Sequence, residues 1–417
     1  MTNKYAFILA SMKQVIFKIL GGNQGMKRAI TIILVVCTMI MMLSGCGGGT
    51  SGNVIKIGVY EPSSGDNGAG GKQEVLGIEY ANTVLNSVEI DGKKYDLKLE
   101  IVDNESSNDK GPSAAAKLVS AKCSVVLGSY GSSVSIAASD VFKNAGIPVI
   151  GVSCTNPQVT AGNTHYFRIC YLDPFQGTVL ANFAVDEFKA KKAYILTKLG
   201  DDYSAGLGNY FKEAFQKLGG TVIEETFQEG NSDFTAYLTT AANEKVDVIF
   251  APTSTEAASL IIGQAISQGI NIPLLAGDTW DSSVILDAAK GSNEKIYVST
   301  FFDEGDDSAL GSKFVTDFKK WLNDNPEKLK NNGGNDIVAA VSALGYDAYM
   351  VAVEAIKAAG SPDSKKINEA LWDVKYTGVT GDIAFDEIGD AIRNVAYIKS
   401  VNTSDGSWNF VAIQSVK

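Results

Sequence analysis

Between Ser124 and Pro157 the chain reads SVVLGSYGSSVSIAASDVFKNAGIPVIGVSCTNP, and this stretch limits the possible folds more than any other. Val125-Val126-Leu127 is a short apolar run of the kind that forms a buried strand, and it stops at Gly128-Ser129-Tyr130-Gly131-Ser132-Ser133. Small and hydroxyl residues there open a helix whose Val134, Ala137, Ala138, Val141 and Phe142 fall on one face. Gly146 ends it. A second apolar strand, Ile147 to Ile150, breaks into Ser153-Cys154-Thr155-Asn156-Pro157. Two parallel strands ending in hydroxyl-rich loops on the same sheet edge are where open α/β sheets take ligands. The free N–H groups and positive dipole end of the helix make an anion the natural guest. Each Ser or Thr taken alone is equally suited to capping a helix, but two such loops side by side favour a binding site.

The rest of the chain repeats this design. From Val54 strands and helices alternate: strand 54–60, helix 71–85, strand 95–102 and helix 112–121 lead into the stretch above. After Leu172-Asp173-Pro174 a fresh series runs to the strand 295–301, and residues 308–375 read as mostly helical, with one long helix from about 335 to 359. Late strands are expected at 382–385, 395–401 and 408–415. Alternation of this kind predicts an α/β fold of two doubly wound parallel-sheet domains. Domain one is expected from 54–172 with 302–390, and domain two from 173–301 with 391–417. The chain would then cross three times, near 172, 301 and 390, and three crossings make a hinge.

Upstream, the first 46 residues hold five Lys or Arg and no acid. Lys27-Arg28 leads into the apolar stretch Ile30 to Leu43 and then Leu43-Ser44-Gly45-Cys46, which resembles a bacterial lipoprotein signal peptide with Cys46 as the lipidated residue. Translation is expected to begin at Met26, which directly precedes that pattern; an amphipathic anchor over residues 5–20 is the alternative. Residues 47–53, GGGTSGN, form a flexible tether. Beyond Cys46 the count is 31 Lys and Arg (36 less five) against 47 Asp and Glu, a formal charge of −16, so nucleic acid is not an expected partner. Cys123, Cys154 and Cys170 lack any CxxC spacing and read as buried apolar residues, with Cys154 also a candidate to line the site. The single histidine, His165, has no metal-ligand neighbours, so neither a metal nor a cofactor is expected. Catalysis is not expected either. There is no G-x-S-x-G elbow, and the glycines from Gly65 to Lys72 miss the phosphate-loop spacing, with Gln73 where a metal-binding hydroxyl belongs.

Several motifs in order resemble the solute-binding proteins of ABC importers in the branched-chain amino acid (leucine/isoleucine/valine-binding) family, which have a periplasmic-binding-protein type I fold. They are IKIGVYEPSSG, VVLGSYGSSVSIAASDVF, IPVIGVSCTNP, LGDDYSAGL, VDVIFAP, LLAGDTW and VTGDIAFDEIGD, and they cover residues 54–417. The resemblance implies that Ser132 and Thr155 hold an amino acid α-carboxylate and that Ser153 offers its carbonyl to the α-ammonium. It further implies that Asp278 pairs with that ammonium and that Tyr203 stacks over the ligand. Tyr130, Trp280, Phe302 and Ser254 (or Glu256) would surround the side chain. Only Arg168 and Arg393 follow Cys46, so few arginines could clamp a carboxylate, and Arg168 reads as structural. The chain departs from the leucine-type pattern at Gly68-Ala69-Gly70-Gly71, where an aromatic is common, and this opens the pocket floor. The implied role is capture of a free amino acid, most readily a branched-chain one, by a monomer lipid-anchored on the outer face of the membrane, followed by delivery to a permease. A short amide or urea as ligand, or a sensor role in place of import, are the alternatives.

Overall fold

The computed structural model describes residues 53–415. The expected lipid site Cys46, the anchor alternative and the Met26 start lie outside the described residues. Among the described residues no helix is long and apolar enough to cross a membrane.

The first series builds β1 (Val54–Val59), α1 (Gly68–Val84), β2 (Ser87–Ile90), β3 (Lys93–Ile101), α2 (Gly111–Ser120), β4 (Val125–Leu127), α3 (Ser132–Ala145), β5 (Val149–Gly151) and β6 (Tyr166–Arg168). They form a six-stranded sheet in the order β2-β3-β1-β4-β5-β6, parallel except for β2. The short strand β2 was not anticipated from its four residues of mixed polarity. Asp91 and Gly92 both have positive φ, 50° and 72°, as a tight hairpin turn demands, and that dipeptide was the available signal.

The second series comprises α4 (Asp173–Phe188), β7 (Lys192–Lys198), α5 (Asp202–Lys217), β8 (Thr221–Phe227), α6 (Thr235–Asn243), β9 (Val248–Phe250), α7 (Thr255–Gln268), β10 (Leu274–Ala276), α8 (Ser283–Ala289) and β11 (Ile296–Thr300). The chain then makes α9 (Ala309–Asp324), α10 (Pro326–Asn331), α11 (Ala340–Ala359), α12 (Ser364–Leu371), the hairpin β12 (Lys375–Gly378) with β13 (Gly381–Ala384), and the last strands β14 (Ala396–Asn402) and β15 (Ser407–Gln414). The seven-stranded sheet has the order β15-β14-β11-β10-β9-β7-β8, and its two final strands run antiparallel. The long helix starts at Ala340, five residues later than its apolar pattern suggests, because Asn332 takes the carbonyls of Asn335 and Ile337 and holds that segment as a turn.

Helix α11 packs on α1, under the six-stranded sheet. The approach is close because glycine faces backbone from both sides: a methyl group on Gly77 would meet the Ser342 carbonyl at 1.9 Å, and one on Gly345 would meet that of Glu74 at 2.4 Å. The order of each sheet reverses beside its first strand, between β1 and β4 in one and between β7 and β9 in the other. Ligand crevices form at such points, outside the carboxyl ends of the strands. The chain passes from one sheet to the other after β6, after β11 and before β14, and Tyr171 and Phe301 pack together at two of these passages with ring centres 4.3 Å apart and planes tilted by 37°.

Candidate functional site

The two reversal points face each other. Loops after β1 and β4 meet loops after β7, β9 and β10 around a cavity of about 30 Å³ lined by Asp66, Asn67, Tyr130, Ser132, Lys198, Tyr203, Ser254 and Thr279, among others. A space of that size holds little more than a water, so the two sheets stand in a closed arrangement. Closure is held by polar contacts across the cleft. The Lys198 ammonium lies 2.6 Å from the Asp66 carboxylate, and the Asp66 carbonyl accepts from Thr255 Oγ1 at 3.0 Å and from the Glu256 N–H at 3.1 Å. The Asp202 N–H donates to Ser133 Oγ at 2.7 Å, Asn156 Nδ2 donates to the Asp202 carbonyl at 2.7 Å, and the Tyr130 hydroxyl donates to the Thr279 carbonyl at 3.3 Å.

On the six-stranded side, Ser132 Oγ accepts the Asn156 N–H at 3.2 Å, which ties the two hydroxyl-rich loops together. Thr155 is fully buried, with its hydroxyl against the buried Asp173 carboxyl and its carbonyl accepting the Asp173 N–H at 3.1 Å. On the seven-stranded side, Asp278 is 2% exposed, and its Oδ1 accepts from Gln176 Nε2 at 2.9 Å and from the Tyr203 hydroxyl at 3.2 Å. Burial raises this carboxyl to about 7 despite those two donors. Burial also raises Glu74 to about 7 and Asp173 to about 8, and pushes Glu61 well up, with the neighbouring Glu74 adding to the effect. The buried cations are committed elsewhere: Arg168 pairs with Asp390 at 2.7 Å and Lys399 with Asp281 at 3.1 Å. An ammonium arriving at Asp278 would meet a carboxylate with no other cationic partner.

Ser132, Tyr130, Tyr203 and Ser254 line the cavity, with Asp278 directly behind Tyr203 and Thr279. Ser254 also caps α7, accepting from the Ala257 N–H at 3.3 Å. Three expected side-chain contacts are corrected. Cys154 turns its sulfur against Gly151 into an apolar cluster with Tyr60, Phe142 and Tyr166, so its side chain does not line the cavity. Trp280 ends a single 3-10 turn, Asp278–Trp280, in which successive side chains diverge by about 120°. Asp278 therefore points at Gln176 and Tyr203, behind the cavity wall, while Trp280 is sunk in the core of the seven-stranded sheet, its indole N–H on Thr253 Oγ1 at 3.3 Å. Phe302 packs edge-on against Phe314, ring centres 6.1 Å apart, inside the other core. Ser153 is buried and its hydroxyl donates to Glu74.

The residues missed were Gln176, Thr279, Asp66, Lys198, Glu61 and Glu74. Glu61 breaks an apolar strand end, and Glu74 shares the buried face of α1 with Gly77, Ile78 and Ala81 at i, i+3, i+4 and i+7. An acid on an inward face was the signal. The glycine departure has its counterpart here as well: a methyl group on Gly70 would meet the Tyr130 ring and hydroxyl at 2.5–2.7 Å, so the aromatic wall comes from the β4 loop instead of from α1.

Two open α/β sheets that meet at their reversal points, with hydroxyls on one side and a buried carboxylate on the other, define a cleft-type binder of small solutes. The periplasmic binding protein family matches residues 54–406, and the chain belongs to that family, as a substrate-binding protein of the ABC-transporter kind. It is 30% identical over 373 residues to the Leu/Ile/Val-binding protein homolog 1 of Brucella suis, covering 87% of this chain and 95% of that one. Among solved structures it resembles the leucine binding protein LivK of Thermotoga maritima, with 31% identity, TM-score 0.78, and coverage of 87% and 99%. It also resembles LivJ of Streptococcus pneumoniae in complex with isoleucine, with 27% identity, TM-score 0.75, and coverage of 87% and 99%. This is a family of extracytoplasmic binders rather than of enzymes.

Proposed function

We propose that this protein captures a free amino acid, most readily leucine, isoleucine or valine, without catalysis. The α-carboxylate is held by Ser132 and Thr155, and the α-ammonium is held by Asp278 together with the Ser153 carbonyl. Domain one (54–172 with 302–390) receives the ligand, and domain two (173–301 with 391–417) swings in with Tyr203 and Asp278. A monomer carried on a lipid at Cys46 then presents the closed form to a permease. The observation that carries this reading is Asp278: a buried carboxyl held by Gln176 and Tyr203, with no salt-bridge partner among the described residues, behind a cavity that Ser132 lines from the other sheet. The ligands bound in two related solved structures, isoleucine and leucine, support the side-chain class.

A thermal-shift panel of the twenty amino acids, urea and short amides tests the reading. Ligand at about a hundredfold over its dissociation constant adds about 2.7 kcal/mol, read as a raised midpoint. Stabilisation by leucine, isoleucine or valine that is lost in Asp278→Ala is the expected result. A response to neutral amides that survives Asp278→Ala overturns the ammonium site.

A further inference from the structure

Glu61 stands just beyond β1, and Glu74 lies on the inward face of α1; both are buried. The Glu61 carboxyl accepts the backbone N–H of Tyr130, in the loop after β4. The Glu74 carboxyl accepts the hydroxyl of Ser153, in the loop after β5. In each carboxyl the contact uses Oε2, and the buried Oε1 is left without a donor. The two carboxyls are neighbours, each acting on the other's ionisation. The titratable groups facing them are Asp278, Cys154, Tyr60 and Tyr130, with no lysine or arginine among them. Two carboxylates in contact away from water cannot both ionise, so one keeps a proton and donates it to the other. The result is a continuous link: Tyr130 N–H to Glu61, Glu61 to Glu74 through one proton, and Glu74 to the Ser153 hydroxyl.

We propose that Glu61 and Glu74 are positioning residues that share one proton, and that this bridge sets the spacing of the two ligand loops carrying Ser132 and Ser153. The inference rests on the amino acid reading of the cleft only for its effect on affinity. The bridge also explains why an acid is placed on the inward face of α1: Glu74 reaches Ser153 by its side chain, which leaves the Ser153 carbonyl free for a guest.

Glutamine at position 74 separates this role from plain packing, since its oxygen can accept from Ser153 while its amide donates to Glu61 with no shared proton. Three variants of the full chain are therefore compared, namely wild type, Glu74→Gln and Glu74→Leu. Infrared spectroscopy reads the protonated carboxylic acid, amide exchange at Tyr130 reads the loop, and titration with leucine as the probe at several pH values reads affinity. The expected result is a protonated-acid band in wild type at neutral pH that shrinks in Glu74→Gln. Tyr130 exchange stays slow in wild type and in Glu74→Gln and becomes at least tenfold faster in Glu74→Leu. Leucine affinity in wild type falls at alkaline pH as the shared proton leaves, whereas Glu74→Gln holds its affinity there and Glu74→Leu is at least tenfold weaker throughout. An unchanged band in Glu74→Gln, or Tyr130 exchange in folded Glu74→Leu equal to wild type, overturns the proposal. If Glu74→Leu does not fold, the band and the alkaline affinity of Glu74→Gln decide it. Failure of wild type to bind leucine counts against the ligand assignment alone, because band and exchange are read without ligand.

Discussion

Two buried ionic regions of the molecule are built on opposite plans. Beside the first passage between the sheets, Arg168 is fully buried and gives Nε and Nη2 to Asp390 Oδ1 at 2.9 and 2.7 Å. Its remaining donors go to the carbonyls of Cys154 and Asn156 and to Thr160 Oγ1. The other arginine of this body, Arg393, reaches from the third passage back to the first, donating to the Ile169 carbonyl at 3.0 Å. At the cleft floor, Glu61, Glu74 and Asp278 are just as buried, yet among the described residues no lysine or arginine pairs with them. Arginine is spent on holding the passages and the back of the ligand loop, while the cleft keeps unbalanced acid. Buried charge with its counterion in place is structure; buried acid without one is held for a proton or a guest.

The sharpest way to break this contrast is to remove the counterion where the fold depends on it. Arg168→Met strands Asp390 in the interior and releases the carbonyls of Cys154 and Asn156, and an unpaired buried charge costs about 3–5 kcal/mol. Urea unfolding should show that loss as a lower midpoint, with part of it recovered when Asp390→Leu is added. A loss below about 1 kcal/mol would place the Arg168 cluster with ordinary surface pairs.

At the cleft floor the same operation should leave the ligand-free fold intact and damage binding. Asp278→Asn keeps Gln176 and Tyr203 within reach but removes the charge, so calorimetry should record an amino acid affinity weaker by about 2–5 kcal/mol. The melting midpoint without ligand should hold or rise, because a buried charge without a counterion has been deleted. A variant that binds normally would make Asp278 part of the scaffold.

This contrast was only half legible in the sequence. Strand and helix alternation and the hydroxyl loops could be read because each has a local signature, period or composition, whereas the acid at 278 was singled out only by the family resemblance. The two-residue turn at Asp91-Gly92 was equally local, but it was masked by the mixed polarity of β2. Trp280 and Phe302 were misplaced for a different reason. An apolar residue next to a ligand loop looks the same in sequence whether it faces the cleft or the core, and only the rotation of the 3-10 turn sends Trp280 inward. The Glu61–Glu74 pair joins residues from a strand end and a helix across a loop, so no spacing pattern announces it.

Titration carries the comparison further. Asp278 sits at about 7 in the folded protein against about 3.9 for an ordinary Asp, so the folded state binds the extra proton between these values. Its folded value is raised, so its carboxylate form opposes folding at neutral pH, and stability is regained as pH falls through 7. Between pH 8 and pH 5 the ligand-free protein should gain about 2.5 kcal/mol from this group. The difference between wild type and Asp278→Asn in chemical unfolding at the two pH values isolates it. The cationic ligand group reverses the sign, since it binds the carboxylate form, so affinity should rise with pH over the same window. A ligand-free protein that loses stability on acidification in this window would mean that Asp278 is already ionised.

The smallest effect belongs to the pair that spans the cleft mouth. Lys198 and Asp66 are an ion pair like Arg168 and Asp390, but with side chains 14% and 34% exposed they remain partly in water. Exposed pairs are worth about 0.2–1 kcal/mol and are screened by salt. The Asp66 carbonyl, not its carboxylate, receives Thr255 and Glu256, so Lys198→Met leaves those two cross-cleft hydrogen bonds standing. Amino acid affinity should therefore fall by a few-fold at most, through a faster off-rate, and the deficit should shrink between about 0.05 M and about 0.5 M salt. A salt-independent loss of tenfold or more would show that the mouth, too, is built on the buried plan of the hinge, with Lys198 desolvated on closure as fully as Arg168 is.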